Sequence, residues 1–262
     1  MIIIWKQHPA LIDLRGCRPG GRKEGAVSKR LILSALLVLS LVGTAMAGEA
    51  KPIQLALFNP VQMVPEEESI MGVSLGLIYA ANQDVTGFSF VLLGVNEAKG
   101  NAAGVELGLG NWVEGYFHGW QGGFVNYTGS RFVGLQGSIV NVTKGDLTGA
   151  QLGAVNWAEG YVHGAQAGLF NYSTGRFIGA QLGAVNMAKG EFSGAALGIV
   201  NYAEGSVKGF QGGIVNSAAE MHGLQLGLVN YTKSLDGLQI GLANYNGNKD
   251  PLEFMVFVNW SF

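Results

Sequence analysis

The sequence predicts an all-β fold, an antiparallel up-and-down β-barrel of about 14 strands built from 15-residue strand-turn repeats, with a β-solenoid as the alternative. Three observations carry that prediction. One unit recurs down the chain, as in Gly149-Ala-Gln-Leu-Gly-Ala-Val-Asn156, Gly164-Ala-Gln-Ala-Gly-Leu-Phe-Asn171, Gly179-Ala-Gln-Leu-Gly-Ala-Val-Asn186 and Gly194-Ala-Ala-Leu-Gly-Ile-Val-Asn201. Each unit alternates an uncharged run rich in Val, Leu, Ile, Phe and Tyr with a short charged tetrapeptide. Glycine is abundant, 42 of 262 residues, and two or three in every unit disfavour helix.

The first 47 residues are expected to lie outside the fold. Lys29-Arg30, the apolar run Leu31–Val42 and Ala45-Met46-Ala47 read as a signal peptide over 27–47, cleaved before Gly48. The apolar run is too short for a membrane-crossing helix, which needs roughly 20 residues. Residues 1–26 read as an upstream extension. Val27 suits a GTG start codon, and Lys23-Glu24-Gly25 is compatible with a ribosome-binding site in the gene. Residues 48–262 then form one repeat-built β domain. Its only upstream cysteine is Cys17, so the exported part carries no thiol chemistry. Seven of the 16 Lys/Arg but only two of the 18 Asp/Glu precede residue 49. The remainder is therefore acidic, near −7, which disfavours nucleic-acid binding.

Taken in order, 52–59 reads as a first strand and 60–69 as a loop holding Pro60, Pro65 and Glu66-Glu67-Glu68. Ile70–Ala81 and Thr86–Glu97 are degenerate copies. From Ala102 the unit is regular, with Asn at 111, 126, 141, 156, 171, 186, 201 and 216. The spacing contracts by one at Asn230 and Asn244, and Asn259 lies in the last segment. Tetrapeptides such as Thr143-Lys-Gly-Asp146 and Ala188-Lys-Gly-Glu191 suit hairpins whose third-place glycine takes φ > 0. Strands of about 11 residues, tilted by roughly 40°, cross about 28 Å.

Strict alternation along such a strand separates two faces. One reads Phe177, Gly179, Gln181, Gly183, Val185, Met187; the other reads Ile178, Ala180, Leu182, Ala184, Asn186. Glutamine is costly in hydrocarbon, so Gln121, Gln136, Gln151, Gln166, Gln181, Gln211, Gln225 and Gln239 are expected to face a lumen. The Tyr and Trp that follow the asparagines suit an interfacial girdle. The asparagines themselves suit backbone hydrogen bonds at strand ends. In a barrel, the two long connections, 60–69 and about 246–252, would both be extracellular and flank the closing seam.

The ending Val258-Asn-Trp-Ser-Phe262 resembles the C-terminal recognition signal of outer-membrane barrel proteins, with Trp260 and Phe262 as its residues. That resemblance implies the barrel-assembly machinery and outer-membrane lipid as partners. The repeats Gly223-Leu-Gln-Leu-Gly-Leu-Val-Asn-Tyr231 and Gly237-Leu-Gln-Ile-Gly-Leu-Ala-Asn-Tyr245 resemble a Gram-negative family of exported surface-repeat proteins with GLQLGLVNYA units. The resemblance spans nearly all of 52–262. It implies an exported or surface location and no particular activity.

The chemistry-bearing residues point to no enzyme. His118, His163 and His222 recur at one place in their units, which reads as a polar rim; converging metal ligation would need them close together. The Gly-x-x-x-x-Gly patterns lack the Lys-Ser/Thr and the helix of a phosphate loop. Glu66-Glu67-Glu68 reads as a solvated loop, and no Ser–His–Asp set or carboxylate pair stands out. No catalytic, cofactor or metal site is therefore expected.

The alternative is a secreted or surface-attached β-solenoid, an adhesin or spacer in the periplasm or at the cell surface. Stacked coils would place every Gln and Asn in ladders, and a fixed repeat length is typical of solenoids. Near-identical units pointing alternately up and down are also unusual for a barrel. Against the solenoid, neither face carries the charge expected of a wet exterior. The sequence therefore favours the barrel, a small pore or a structural surface protein of the outer membrane.

Overall fold

The computed structural model describes residues 50–262; the expectations for 1–26 and for the signal peptide lie outside the described residues. The chain is all-β, and it winds as a β-solenoid of about 13 turns. The barrel is overturned by the strand pairing, which is parallel and in register from coil to coil. Phe132 pairs with Leu147, Gly134 with Gly149, Gln136 with Gln151 and Asn141 with Asn156. In this packing each amide has an identical amide one strand spacing away, about 4.8 Å. Each can then donate once and accept once, a match that reversing strands would lose. Thirteen coils at that spacing make a rod ~60 Å long.

A regular coil holds a longer strand such as Phe132–Gly137, a corner at Ser138-Ile139, a shorter strand such as Val140–Thr143, and a charged turn at 144–146. The corner also shifts the side-chain parity. In Phe177–Ala188 the buried residues are Phe177, Gln181, Asn186 and Ala188. The odd step from Gln181 to Asn186 brings both amides inward. Uninterrupted alternation, as in the two faces read from the sequence, puts them on opposite faces.

The glycines that need a left-handed backbone also differ from expectation. They are not the turn glycines; they lie inside the longer strand, where Gly149 and Gly164 have φ of +128° and +152°. A Cβ on Gly164 would stand 1.8 Å from the carbonyl oxygen of Gly149. The recurring glycine is thus required both by backbone conformation and by close approach of the coil beneath.

Rows of like residues run along the rod. Behind the charged turns lies an apolar row that includes Phe117, Phe132, Leu147, Phe177 and Met221, all essentially inaccessible. Phe177 and Phe192 stack at 5.0 Å between ring centres. The one-residue contraction of the later repeats is absorbed at the charged turn, where the pairing shifts between Ala203 and Ser206.

The two long connections belong to the two ends of the rod. At one end, Val61–Gln62 pairs antiparallel with Lys51–Phe58, and Gln54 exchanges hydrogen bonds with the backbone of Val64. At the other, 247–253 leads into Phe254–Ser261, which runs antiparallel to Val229–Asn246. Such atypical terminal segments close the open edges of a repeat stack.

Candidate functional surface

The eight predicted lumen glutamines do face inward, but onto a closed interior with no lumen. Gln121 to Gln166, Gln225 and Gln239 are fully inaccessible, and Gln181 and Gln211 nearly so. Gln136 Nε2 donates to Gln121 Oε1 at 2.9 Å, Gln151 to Gln136 at 2.8 Å, and Gln166 to Gln151 at 2.8 Å. Every glutamine-to-glutamine donation points toward the N-terminal end. Ala196 interrupts the row, which resumes with Gln225 donating to Gln211.

The asparagines form a second ladder, unbroken from Asn96 to Asn244, that runs the other way. Asn141 Nδ2 donates forward to Asn156 Oδ1 at 2.9 Å, and Asn156 to Asn171 at 2.8 Å. The same Nδ2 groups donate to backbone, Asn141 to Leu152 O and Asn156 to Ala167 O, both at 3.0 Å. The backbone bonds expected of these residues therefore exist, and they hold each coil to the next just before its corner.

Glu106 stands at the head of the glutamine row and accepts a hydrogen bond from Gln121 at 3.0 Å. Burial pushes its carboxyl up to about 7, a rise only partly offset by that bond. Among the described residues no cation offsets the desolvation of a carboxylate here. The sequence reading passed over Glu106; its place in the glutamine register was the available signal.

The three histidines do not converge. Each lies outward at the start of its coil, where His118 pairs with Val133 and His163 with Thr148. His222 Nδ1 lies 3.1 Å from Asp236 of the next coil. Among the described residues no group of three His, Cys, Asp or Glu side chains could hold a metal ion. In the acidic loop, Glu66 contacts Lys99 at 2.9 Å and accepts from Asn59, which together hold its carboxyl below the usual range; Glu68 pairs with Lys51. Trp260 lies opposite Leu238 on the closing strand, with Lys249 Nζ 4.8 Å over its ring, and Phe262 is almost wholly exposed. With no barrel to close, these two residues are placed as part of an end cap.

The remaining surface is divided by chemistry. The turns carry charge in register, including the Lys144–Glu159 pair and Arg176 against Glu191. The opposite corners are apolar: Phe124, Ile139, Leu169, Ile199 and Leu242 are between 51% and 67% exposed. Between corner and turn runs a row of aromatics with Trp112 stacked on Tyr127 at 3.9 Å and Tyr231 on Tyr245 at 5.1 Å. Comparison with protein-family models, curated proteins and solved structures gives no match.

Proposed function

We propose that this chain is an exported, surface-attached β-solenoid that works as a spacer or adhesin and performs no catalysis. The observation that carries the reading is the consumption of its polar interior. The buried Gln and Asn side chains bond to one another from coil to coil, as in the Gln121–Gln166 and Asn96–Asn244 ladders. What the rod presents outward is the same few rows repeated along its length, a surface suited to extended contact. The resemblance of its repeats to exported surface-repeat proteins and the signal-like leader support the location.

Fractionation with protease shaving of intact cells tests the proposal. The chain is expected in the envelope fraction and open to cleavage from outside; recovery in the cytoplasm overturns it. Removal of one whole coil, residues 147–161, tests the spacer half. The shortened chain is expected to fold and remain attached, whereas loss of attachment would place the function in a single local site.

A further inference from the structure

We infer that the apolar corner edge of the rod is a lipid-binding edge, inserted lengthwise into one leaflet of a bilayer while the charged turns stay in water. This rests on the surface-attached reading and names what holds the rod there. Among the described residues no helix is long and apolar enough to cross a membrane; the contact inferred here is made by the coils.

Three independent features select lipid as the occupant. The first is continuity. Leu109, Phe124, Ile139, Leu169, Ile199 and Leu242 occupy the corner of successive or nearby coils, each at least 44% exposed. The row flanking them on the shorter strand is also uncharged, as at Val125, Val155, Val185 and Val215. Exposed apolar patches on water-soluble monomers are rarely larger than a few hundred Å², and this one follows a rod ~60 Å long.

The second feature is order with depth. Leaving the corner along the shorter strand, aliphatic residues give way to Trp and Tyr, and those to charge. In one coil the sequence is Leu109, Trp112, Glu114; in another, Ile199, Tyr202, Glu204, all of them exposed. Trp and Tyr favour the boundary between headgroups and acyl chains. Three residues separate corner from aromatic row, at most ~10 Å of extended chain. Interfacial elements bury their apolar face by about 5–10 Å.

The third feature is the inversion behind the edge. Directly inside the apolar corner lie the Asn and Gln ladders, with Asn141, Asn156 and Gln151 inaccessible and paired. Every amide there is satisfied within the protein, as hydrocarbon requires. A second copy docked on this edge would explain the apolar corner but not the graded aromatic and charged rows beside it.

Site-specific depth measurement tests the inference. The full chain carrying Cys17→Ser is labelled with an environment-sensitive fluorophore at Leu169→Cys or, in the same coil, at Arg176→Cys, and mixed with phosphatidylcholine vesicles. The corner label is expected to brighten several-fold, shift to the blue and be quenched by lipids bearing a quencher in their acyl chains. The turn label is expected to remain as in water. The pair Ile199→Cys and Glu204→Cys repeats the comparison one coil pair away, so a local disturbance at 169 does not decide it. Corner labels that stay water-like with vesicles overturn the inference. Corner labels that are shielded without vesicles, in a chain that sediments as a dimer, overturn it in favour of a second copy. The outcome is separable from location: insertion by a chain found free of the envelope would sink only the surface assignment.

Discussion

The two edges of each coil are built in opposite order. At the charged edge, Lys144, Glu159, Arg176 and Glu191 face outward and the Phe, Leu and Val row lies behind them. That is the usual arrangement of a protein in water. At the corner edge, Ile139, Leu169 and Ile199 face outward, and the amide ladders lie behind. The difference teaches that the two edges answer to different media. Charge is confined to the side where ions are solvated, and self-satisfied amides stand behind the side where no water is needed.

The largest expected effect comes from the glycine row common to both edges. Gly164→Ala puts a Cβ 1.8 Å from a backbone oxygen at φ +152°. We expect a loss of about 4 kcal/mol or more, read by chemical denaturation. Should the variant unfold like the parent, the close stacking of coils would be wrong.

Behind the corner, Asn156→Ala removes the bonds to Asn141 Nδ2, Asn171 Oδ1 and Ala167 O. Asn141 keeps Leu152 O and Ala167 O keeps the Gly153 N–H, so Asn171 Oδ1 is the group left stranded. An unpaired buried group costs about 1–3 kcal/mol and each further lost hydrogen bond about 1 kcal/mol, so a loss of about 3 kcal/mol is expected. The glutamine row already tolerates Ala196, and Gln151→Ala is expected to cost less. Equal losses in thermal melts of the two variants would erase the distinction between the ladders.

Glu106 sharpens the comparison from inside. Its folded carboxyl titrates at about 7, above the ordinary 4.5. Near pH 4 the acid is neutral in both states and costs nothing. Between about 4.5 and 7 the unfolded chain ionises while the fold retains the proton, so stability falls as pH rises, and the loss is complete by pH 8. Glu106→Gln is therefore expected to match the parent near pH 4 and exceed it at pH 8, on the order of 3 kcal/mol. Parallel stability–pH curves for the two proteins would refute this.

The smallest effect belongs to the charged edge. Lys144 and Glu159 form an exposed pair, with side chains 43% and 35% accessible. Lys144→Ala is expected to change stability by about 0.5 kcal/mol or less, and by less still in high salt. A loss several times larger would mean that the turns, and not the ladders, hold the coils in register.

Much of the architecture is legible in the sequence. The 15-residue spacing and the contraction at Asn230 appear in the structure as the residues suggest. The glutamines face a packed interior instead of a lumen, and the charged tetrapeptides join parallel coils instead of antiparallel hairpins. The barrel did not survive, for reasons that can be named. Gln181 and Asn186 are five apart, and simple alternation assigns them to opposite faces; only the corner between them turns both inward. Likewise, the absence of charge on the flanks was read as a lipid-facing barrel wall, when it marks one edge of a coil. Positive φ is expected at the turn glycines and occurs instead in the longer strand, because a close approach from the neighbouring coil leaves no trace within one unit. Glu106 was missed because a single departure from a repeat looks like noise until its burial is seen.

The sequence by itself determined the periodicity, the all-β composition and the separation of charge from apolar residues. These are local properties, set by residue type at fixed spacing. Tertiary structure decided whether neighbouring units run parallel or antiparallel, because that rests on contacts fifteen residues apart. It also decided that the amides pair with their own kind. A hydrogen bond between identical side chains exists only once the coils are stacked in register.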